Sequence, residues 1–144
     1  MNTPHTLHED ILAAYQTTDF SFTAGDKTIA ICLDGPNQDL AAYLERELIT
    51  EWAYLTAFNP YFNEQTEAFN NEQHKELLER LTAYQVCPGE GRDRAGLWPV
   101  EQGVFVAGIT RDEAEFLGRD FGQYAILVSG ANGEAELLSC PPML

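Results

Sequence analysis

The residues best suited to chemistry lie in one glycine-rich stretch, residues 87–99, which reads CPGEGRDRAGLWP. Gly89 and Gly91 allow the backbone to approach a ligand closely. The guanidinium groups of Arg92 and Arg94 can each form two parallel hydrogen bonds to an anion. The stretch has neither the third glycine of a dinucleotide-binding loop nor the Gly-Lys-Ser/Thr ending of a P-loop. It therefore predicts binding of a small anionic ligand without specifying which one.

Two residues are candidates for acid-base chemistry: Asp93, between the two arginines, and His74, on the helix predicted before the stretch. His74 also forms, with Cys87, the one spaced candidate for a thiol-imidazole pair, although a cysteine with no chemical role is the more common case. Asp93 has a second interpretation, because together with Glu90 it can pair with the arginines and tie down the loop without a ligand. Trp98 favours an ordered loop, since large apolar rings usually pack.

No motif for a metal or a cofactor accompanies these residues. The chain has no Cys-x-x-Cys, His-Glu-x-x-His or calcium-loop spacing, so we expect no metal site, and no cofactor is indicated. Cys32, Cys87 and Cys140 are widely separated and odd in number. This pattern is typical of reduced thiols rather than of a disulfide framework.

The elements that must position these residues follow from hydrophobic periodicity and from turn signals. The predicted order is helix 7–15, hairpin 19–33, helix 40–49, strand 51–58, helix 66–84, strand 104–109, helix 110–121, and strands 124–129 and 134–139. We expect the long helix to bury Phe69, Leu77, Leu78, Leu81 and Tyr84. The order predicts a single α+β domain over residues 1–144, with a core at about 7–139 and a tail at 140–144. Its sheet is expected to be mixed, mostly antiparallel and five- or six-stranded, packed with three or four helices.

Four spaced motifs resemble one known family. They are residues 52–60 (WAYLTAFNP), Asn70 before the long helix, residues 88–99 (PGEGRDRAGLWP) and residues 121–125 (FGQYA). Together they resemble an uncharacterised bacterial domain of unknown function, family number 3293, over about residues 15–138. The resemblance implies no particular activity or cofactor.

Two positions differ from the pattern of that family. Gln73 stands where the family has an arginine three residues after the helix asparagine. Val100 stands where the family has an acid directly after Trp-Pro, and the acid of this chain, Glu101, is displaced by one residue. The resemblance therefore leaves any shared chemistry open.

The motif positions are polar and lie at the ends of predicted elements: Thr56, Asn59, Asn70, Asp93 and Gln123. Polar groups that converge on a cleft between apolar layers are typical of a small-ligand site. They are equally typical of a buried hydrogen-bond network. Both interpretations remain open from the sequence.

The formal net charge is -15, from 23 acidic and 8 basic residues. A negative field repels phosphate backbones and anionic lipids, so we expect no direct binding to nucleic acid or membranes. The acidic residues are scattered, which is typical of a solvated surface. The alternative is a surface that docks a basic protein partner, as an inhibitor does, with an association that weakens steeply with salt.

The start of the chain lacks the basic and apolar segments of a secretory signal, and no apolar run approaches the roughly 18 residues of a spanning helix. Together with the cysteine pattern, this predicts a cytoplasmic protein.

The sequence thus predicts a polar pocket where the carboxyl end of strand 51–58 meets residues 88–99. We expect Asn59, Asn70, the loop 89–98 and Gln123 to form it, with Arg92 and Arg94 orienting an anion. Catalysis is left open. The other functions considered are the acidic docking module and a purely structural role of the motifs.

Overall fold

The computed structural model describes residues 7–33 and 35–140, so the predicted tail beyond Cys140 lies outside the described residues. Within these ranges there are four α-helices: α1 (Leu7–Gln16), α2 (Gln38–Glu47), α3 (Glu67–Arg80) and α4 (Arg111–Asp120). The same residues form seven strands: β1 (Thr18–Ala24), β2 (Lys27–Ile31), β3 (Trp52–Thr56), β4 (Gln85–Asp93), β5 (Glu101–Ala107), β6 (Ala125–Ser129) and β7 (Ala135–Ser139). A short 3-10 helix spans Pro60–Phe62. No helix among the described residues is long and apolar enough to cross a membrane.

The strands form one antiparallel sheet in the order β2-β1-β4-β5-β3-β6-β7, curled into a half-barrel. The α+β class is confirmed, and the predicted mixed sheet of five or six strands is corrected to an antiparallel sheet of seven. The curl is visible in one contact: the rings of Phe22 on β1 and Phe105 on β5 stack with centroids 4.1 Å apart, although β4 lies between their strands.

Alternation along the strands divides the core into two faces. The aromatic face is built around Phe22, Trp52, Tyr54 and Phe105 and is covered by α2 through residues such as Leu40. The aliphatic face is covered by α3 and α4, whose side chains pack on small and branched residues of β3, β5 and β6. The site described below lies at one end of the aromatic face.

The strand that the sequence did not predict is β4 (Gln85–Asp93), because residues 87–99 were expected to form a loop after the helix at 66–84. Glycine and proline are depleted in strands, and Pro88 offers no amide donor to a neighbour. In the structure, however, β4 is an inner strand between β1 and β5. Gly89 is suited to this place because the Tyr54 ring lies over it: a Cβ there would be 2.6 Å from Tyr54 Cε2.

The long helix also differs from the prediction. α3 ends at Arg80 instead of Tyr84, and its buried residues are Asn70 and Leu77. Phe69 and Leu78, expected to be buried, are 41% and 38% exposed. The buried stripe is therefore narrower than the apolar pattern indicates, and a polar residue, Asn70, occupies part of it.

Candidate functional site

A cavity of about 470 Å³ lies where the carboxyl end of β3 meets the end of β4 and the segment that follows it. Its apolar walls are largely aromatic: Tyr15, Phe20, Tyr54, Phe58, Phe62 and Trp98. Its polar groups are fewer and include the side chains of Thr56, Asn59, Glu101 and Gln123, with Asp10 and Asp93 also on the lining. A mostly apolar cavity with a few convergent polar groups is typical of small-molecule sites.

Strand register explains why these residues share one space. Phe20 pairs with Gly91, and Gly91 pairs with Glu101, so these three residues lie side by side across β1, β4 and β5. Thr56 pairs with Gly103 on the next pair of strands. Because alternate residues of a strand face the same side, this row continues the aromatic face beyond Phe105. Gly91 lines the cavity, whereas the space over Gly103 is filled by the Tyr54 ring, with which a Cβ there would collide.

The wall after β3 is a turn with unusual backbone angles. Asn59, Tyr61 and Phe62 have φ values of 47°, 55° and 60°, in the left-handed region that bulky residues rarely adopt. Tyr61 N donates to Gly122 O at 2.7 Å, and a Cβ on Gly122 would be 2.6 Å from Pro60 Cβ. The turn is therefore held by close backbone packing against Gly122. Strained residues of this kind concentrate at functional sites.

Buried amides fix the same turn. Asn59 N donates to Asn70 Oδ1 at 3.0 Å, and Asn59 Oδ1 accepts from Asn70 Nδ2 and from Gln65 N, each at 2.9 Å. Gln123 Nε2 donates to Phe58 O at 3.0 Å. Asn59, Asn70 and Gln123 are at most 8% exposed, and each is bonded to this turn. The amides thus form the predicted hydrogen-bond network, and two of them also line the cavity.

Glu101 is the ionisable group placed deepest among these polar residues. Burial raises the pKa of its carboxyl group, and the hydrogen bond from Asn59 Nδ2 to Glu101 Oε2, at 3.2 Å, offsets part of that shift. Burial also raises the pKa values of the Tyr54 and Tyr15 hydroxyls, and the nearby Glu101 raises both further. The Tyr15 hydroxyl donates to Ala125 O. The Tyr54 hydroxyl is buried without a hydrogen-bond partner among the described residues.

Comparison with known proteins gives one match. The family described as "Protein of unknown function (DUF3293)" matches residues 55–126, which is half of the chain. The chain belongs to this family. The matched range runs from the end of β3 to the start of β6 and so includes most of the cavity wall. No curated protein and no solved structure matches the chain.

In this DUF3293 protein, six of the residues predicted for the site line the cavity: Thr56, Asn59, Gly91, Asp93, Trp98 and Gln123. Asn70 lies behind Asn59 and supports it. Trp98 is 42% exposed. The Thr56 hydroxyl donates to Gln102 O at 2.7 Å and accepts from Phe58 N at 3.1 Å.

The predicted anion-binding groups lie elsewhere. Arg92 Nε pairs with Glu90 at 2.9 Å and Arg94 Nε with Asp19 at 2.8 Å, on exposed surface. Neither arginine is part of the cavity lining, and among the described residues no lysine or arginine is. Gly89 lies under the Tyr54 ring instead of at a ligand.

The two predicted acid-base residues also have other surroundings in the DUF3293 structure. Asp93 lines the cavity, but its carboxylate accepts from Ala95 N at 3.2 Å and from Leu97 N at 2.9 Å, which holds the turn after β4. His74 packs edge-on against Phe58 outside the cavity lining, and partial burial lowers its pKa. Cys87 contacts the Tyr43 hydroxyl on the aromatic face, so the thiol-imidazole pair does not form.

Several residues of the site in this DUF3293 chain were not selected from the sequence, chiefly Glu101, Tyr15, Phe20 and Tyr54. In the sequence, Glu101 was noted only because it lies one residue later than the acid that the family pattern has directly after Trp-Pro. The signal that identifies it is strand parity: Glu101, Gly103 and Phe105 alternate, so Glu101 faces the same side as the aromatic core. That signal is usable only once β5 is known to begin at residue 101.

The described residues contain no group of three or more metal-ligating side chains.

Proposed function

We propose that this protein binds a small organic molecule in the cavity between β3 and β4. The molecule has a mostly apolar body, which packs against the aromatic walls, and one polar end, which bonds to Glu101. Its size is bounded by the cavity volume of about 470 Å³.

One observation carries the proposal: the half-buried carboxyl group of Glu101 lies on the wall of a mostly apolar cavity, and one of its oxygens has no hydrogen bond among the described residues. Burying a polar group without a hydrogen bond costs about 1–3 kcal/mol. Partial burial of the Glu101 carboxyl likewise disfavours its charged form. A stable core would fill the space with apolar side chains, whereas a ligand site needs both the space and the polar groups.

The site also suggests which group would transfer a proton if the ligand is a substrate. Glu101 is that candidate, in place of Asp93 and His74. A carboxyl group with a raised pKa is suited to proton transfer closer to neutral pH than an ordinary one. Asp93 is engaged by two backbone amides and His74 does not line the cavity.

Tryptophan fluorescence provides the experiment. The chain has two tryptophans: Trp52 is 1% exposed in the core, and Trp98 is 42% exposed on the cavity wall. We would screen small organic molecules for thermal stabilisation and measure tryptophan emission for each hit. Binding in the cavity is expected to change the emission of Trp98, and Trp98→Phe should remove that change while keeping the stabilisation.

Trp98→Ala tests the wall itself, with Phe116→Ala as its matched control. Phe116 is also a substantially exposed aromatic residue, at 61%, but it lies on α4 outside the cavity lining. Removal of the indole should weaken binding about tenfold, which corresponds to a loss of roughly 1.4 kcal/mol in binding free energy. Hits that bind equally well to the Trp98→Ala protein, or that lose affinity only in Phe116→Ala, would place the binding site elsewhere.

A further inference from the structure

The charged groups around the cavity are all of one sign. Asp10, Asp93 and Glu101 line it, and no lysine or arginine among the described residues does. The two arginines nearest in sequence, Arg92 and Arg94, pair with carboxylates on the surface. The field inside the cavity therefore favours a positive ligand and opposes a negative one.

The aromatic walls act in the same direction. Six rings line the cavity, from Tyr15, Phe20, Tyr54, Phe58, Phe62 and Trp98. The faces of such rings carry negative charge density and attract cations, which is the basis of ammonium recognition by aromatic residues. Neutral apolar ligands would use the same rings for packing alone.

The hydrogen-bonding groups are mainly acceptors. Asn59 Nδ2 bonds to one oxygen of Glu101, and Asn59 Oδ1 is already occupied by Asn70 and Gln65. The other oxygen of Glu101 has no hydrogen bond among the described residues. A ligand end rich in N–H donors would satisfy this set.

We propose that the ligand of this cavity is an organic cation, such as a protonated amine, whose N–H donors bond to Glu101 and whose body packs against the aromatic walls. This inference rests on the proposed binding function and specifies, in addition, that the ligand is positively charged. A divalent metal ion is a poorer fit, because the described residues contain no group of three ligating side chains.

Three probes of similar shape and different charge test the inference. They are 2-phenylethylamine, a cation, 2-phenylethanol, which is neutral, and 3-phenylpropionate, an anion. Binding to the whole chain is measured by calorimetry for the wild type, Glu101→Gln and Glu136→Gln. Glu136 is the matched control, since its replacement removes the same charge from a residue that pairs with Arg111 away from this cavity.

The expected order of affinity is amine, then alcohol, then carboxylate. Glu101→Gln should weaken amine binding about tenfold or more, because hydrogen bonds to a charged group are the stronger class. The glutamine can still accept from Asn59 Nδ2, so the variant should fold, which its thermal unfolding midpoint verifies, and alcohol binding should weaken less than amine binding because the alcohol carries no charge. Glu136→Gln should leave all three affinities unchanged.

The remaining outcomes separate the two proposals. If the carboxylate binds as tightly as the amine, or if Glu101→Gln leaves amine affinity unchanged, the preference for a cation is wrong while the binding function stands. If none of the three probes binds at millimolar concentration, the result counts against the binding function and against this inference with it.

Discussion

The two ends of the aromatic face use the same strands for opposite purposes. At the filled end, Phe105 stacks on both Phe22 and Trp52, and all three are about 1% exposed. At the cavity end, a few residues further along β4 and β5, the paired positions hold Gly91 and Glu101. Backbone pairing is continuous between the two ends, so the side chains alone decide which end is closed.

The difference indicates how this fold divides stability from binding. The filled end has ring-to-ring packing and α2 above it, as expected for the part of the molecule that contributes most of the stability. The cavity end has glycines, a strained turn and polar groups, all of which lower stability relative to an apolar core. We therefore expect substitutions at the filled end to lower stability more than substitutions at the cavity end do.

The largest effect is expected at the filled end. Phe105→Ala removes a fully buried ring that stacks on Phe22 and Trp52, and should lower the free energy of unfolding by about 3–5 kcal/mol. Urea denaturation measures this value. Trp98→Ala at the cavity end should cost about 1 kcal/mol or less, as expected for a partly exposed site. Similar losses for the two variants would contradict the division between the ends.

The next effect concerns the amide network that supports the cavity. Asn70→Ala leaves Asn59 N without its partner and removes one of the two hydrogen bonds to Asn59 Oδ1, and should cost about 1–3 kcal/mol. The neighbouring Asn71→Ala is the control, because Asn71 is exposed on the same helix and its replacement should change stability by about 0.5 kcal/mol or less. Equal small losses would mean that the network contributes little to the turn.

The pH dependence of stability tests the burial of Glu101. Burial raises its pKa above the ordinary value of 4.5, so the stability that protonation contributes is complete below that value and is lost as the pH rises through the raised pKa. Glu101→Gln carries no such charge. The variant should therefore be more stable than the wild type at about pH 7, and this advantage should vanish below about pH 4. An advantage that is constant with pH would show that ionisation of Glu101 is not its cause.

The smallest effect is expected for the surface arginines. Arg92 and Arg94 form ion pairs on exposed surface, and such pairs are worth about 0–1 kcal/mol. Replacing both by alanine should change the free energy of unfolding by about 2 kcal/mol at most and leave affinity for the cavity probes within about twofold. Loss of binding in this variant would show that the arginines contribute to ligand binding, as the sequence predicted.

Hydrophobic periodicity was sufficient to predict the four helices and six of the seven strands, because those segments bury a regular stripe or an alternating face. Periodicity did not predict β4, because its glycines and Pro88 have low strand propensity. Its place in the sheet depends on pairing with β1 and β5, which are distant in sequence. The unpredicted strand also explains why Arg92 does not line the cavity. Gly91 and Asp93 line it, and because side chains alternate along a strand, Arg92 between them faces the other side.

Residues of the candidate site could be predicted from the sequence only where they lie at the end of a predicted helix or strand. Thr56, Asn59 and Gln123 were selected for that reason and do line the cavity, as does Trp98. Phe20 and Tyr54 looked like ordinary core residues, because nothing local reveals that Gly91 and Gly103 stand beside them. Strand register, which the sequence leaves open, is what brings these groups into one space.

The most direct test of the account is a two-dimensional amide NMR titration of the wild-type protein with 2-phenylethylamine. The account predicts saturable shifts concentrated at the Trp98 indole, the Gly91 and Glu101 amides and the Asn59 side chain, with little change around Arg111 and Ser129 at the opposite end of the sheet. Shifts centred on Arg111 and Ser129 would contradict the claim that the cavity end of the aromatic face binds a ligand, and no saturable shift would contradict the claim that it binds an organic cation.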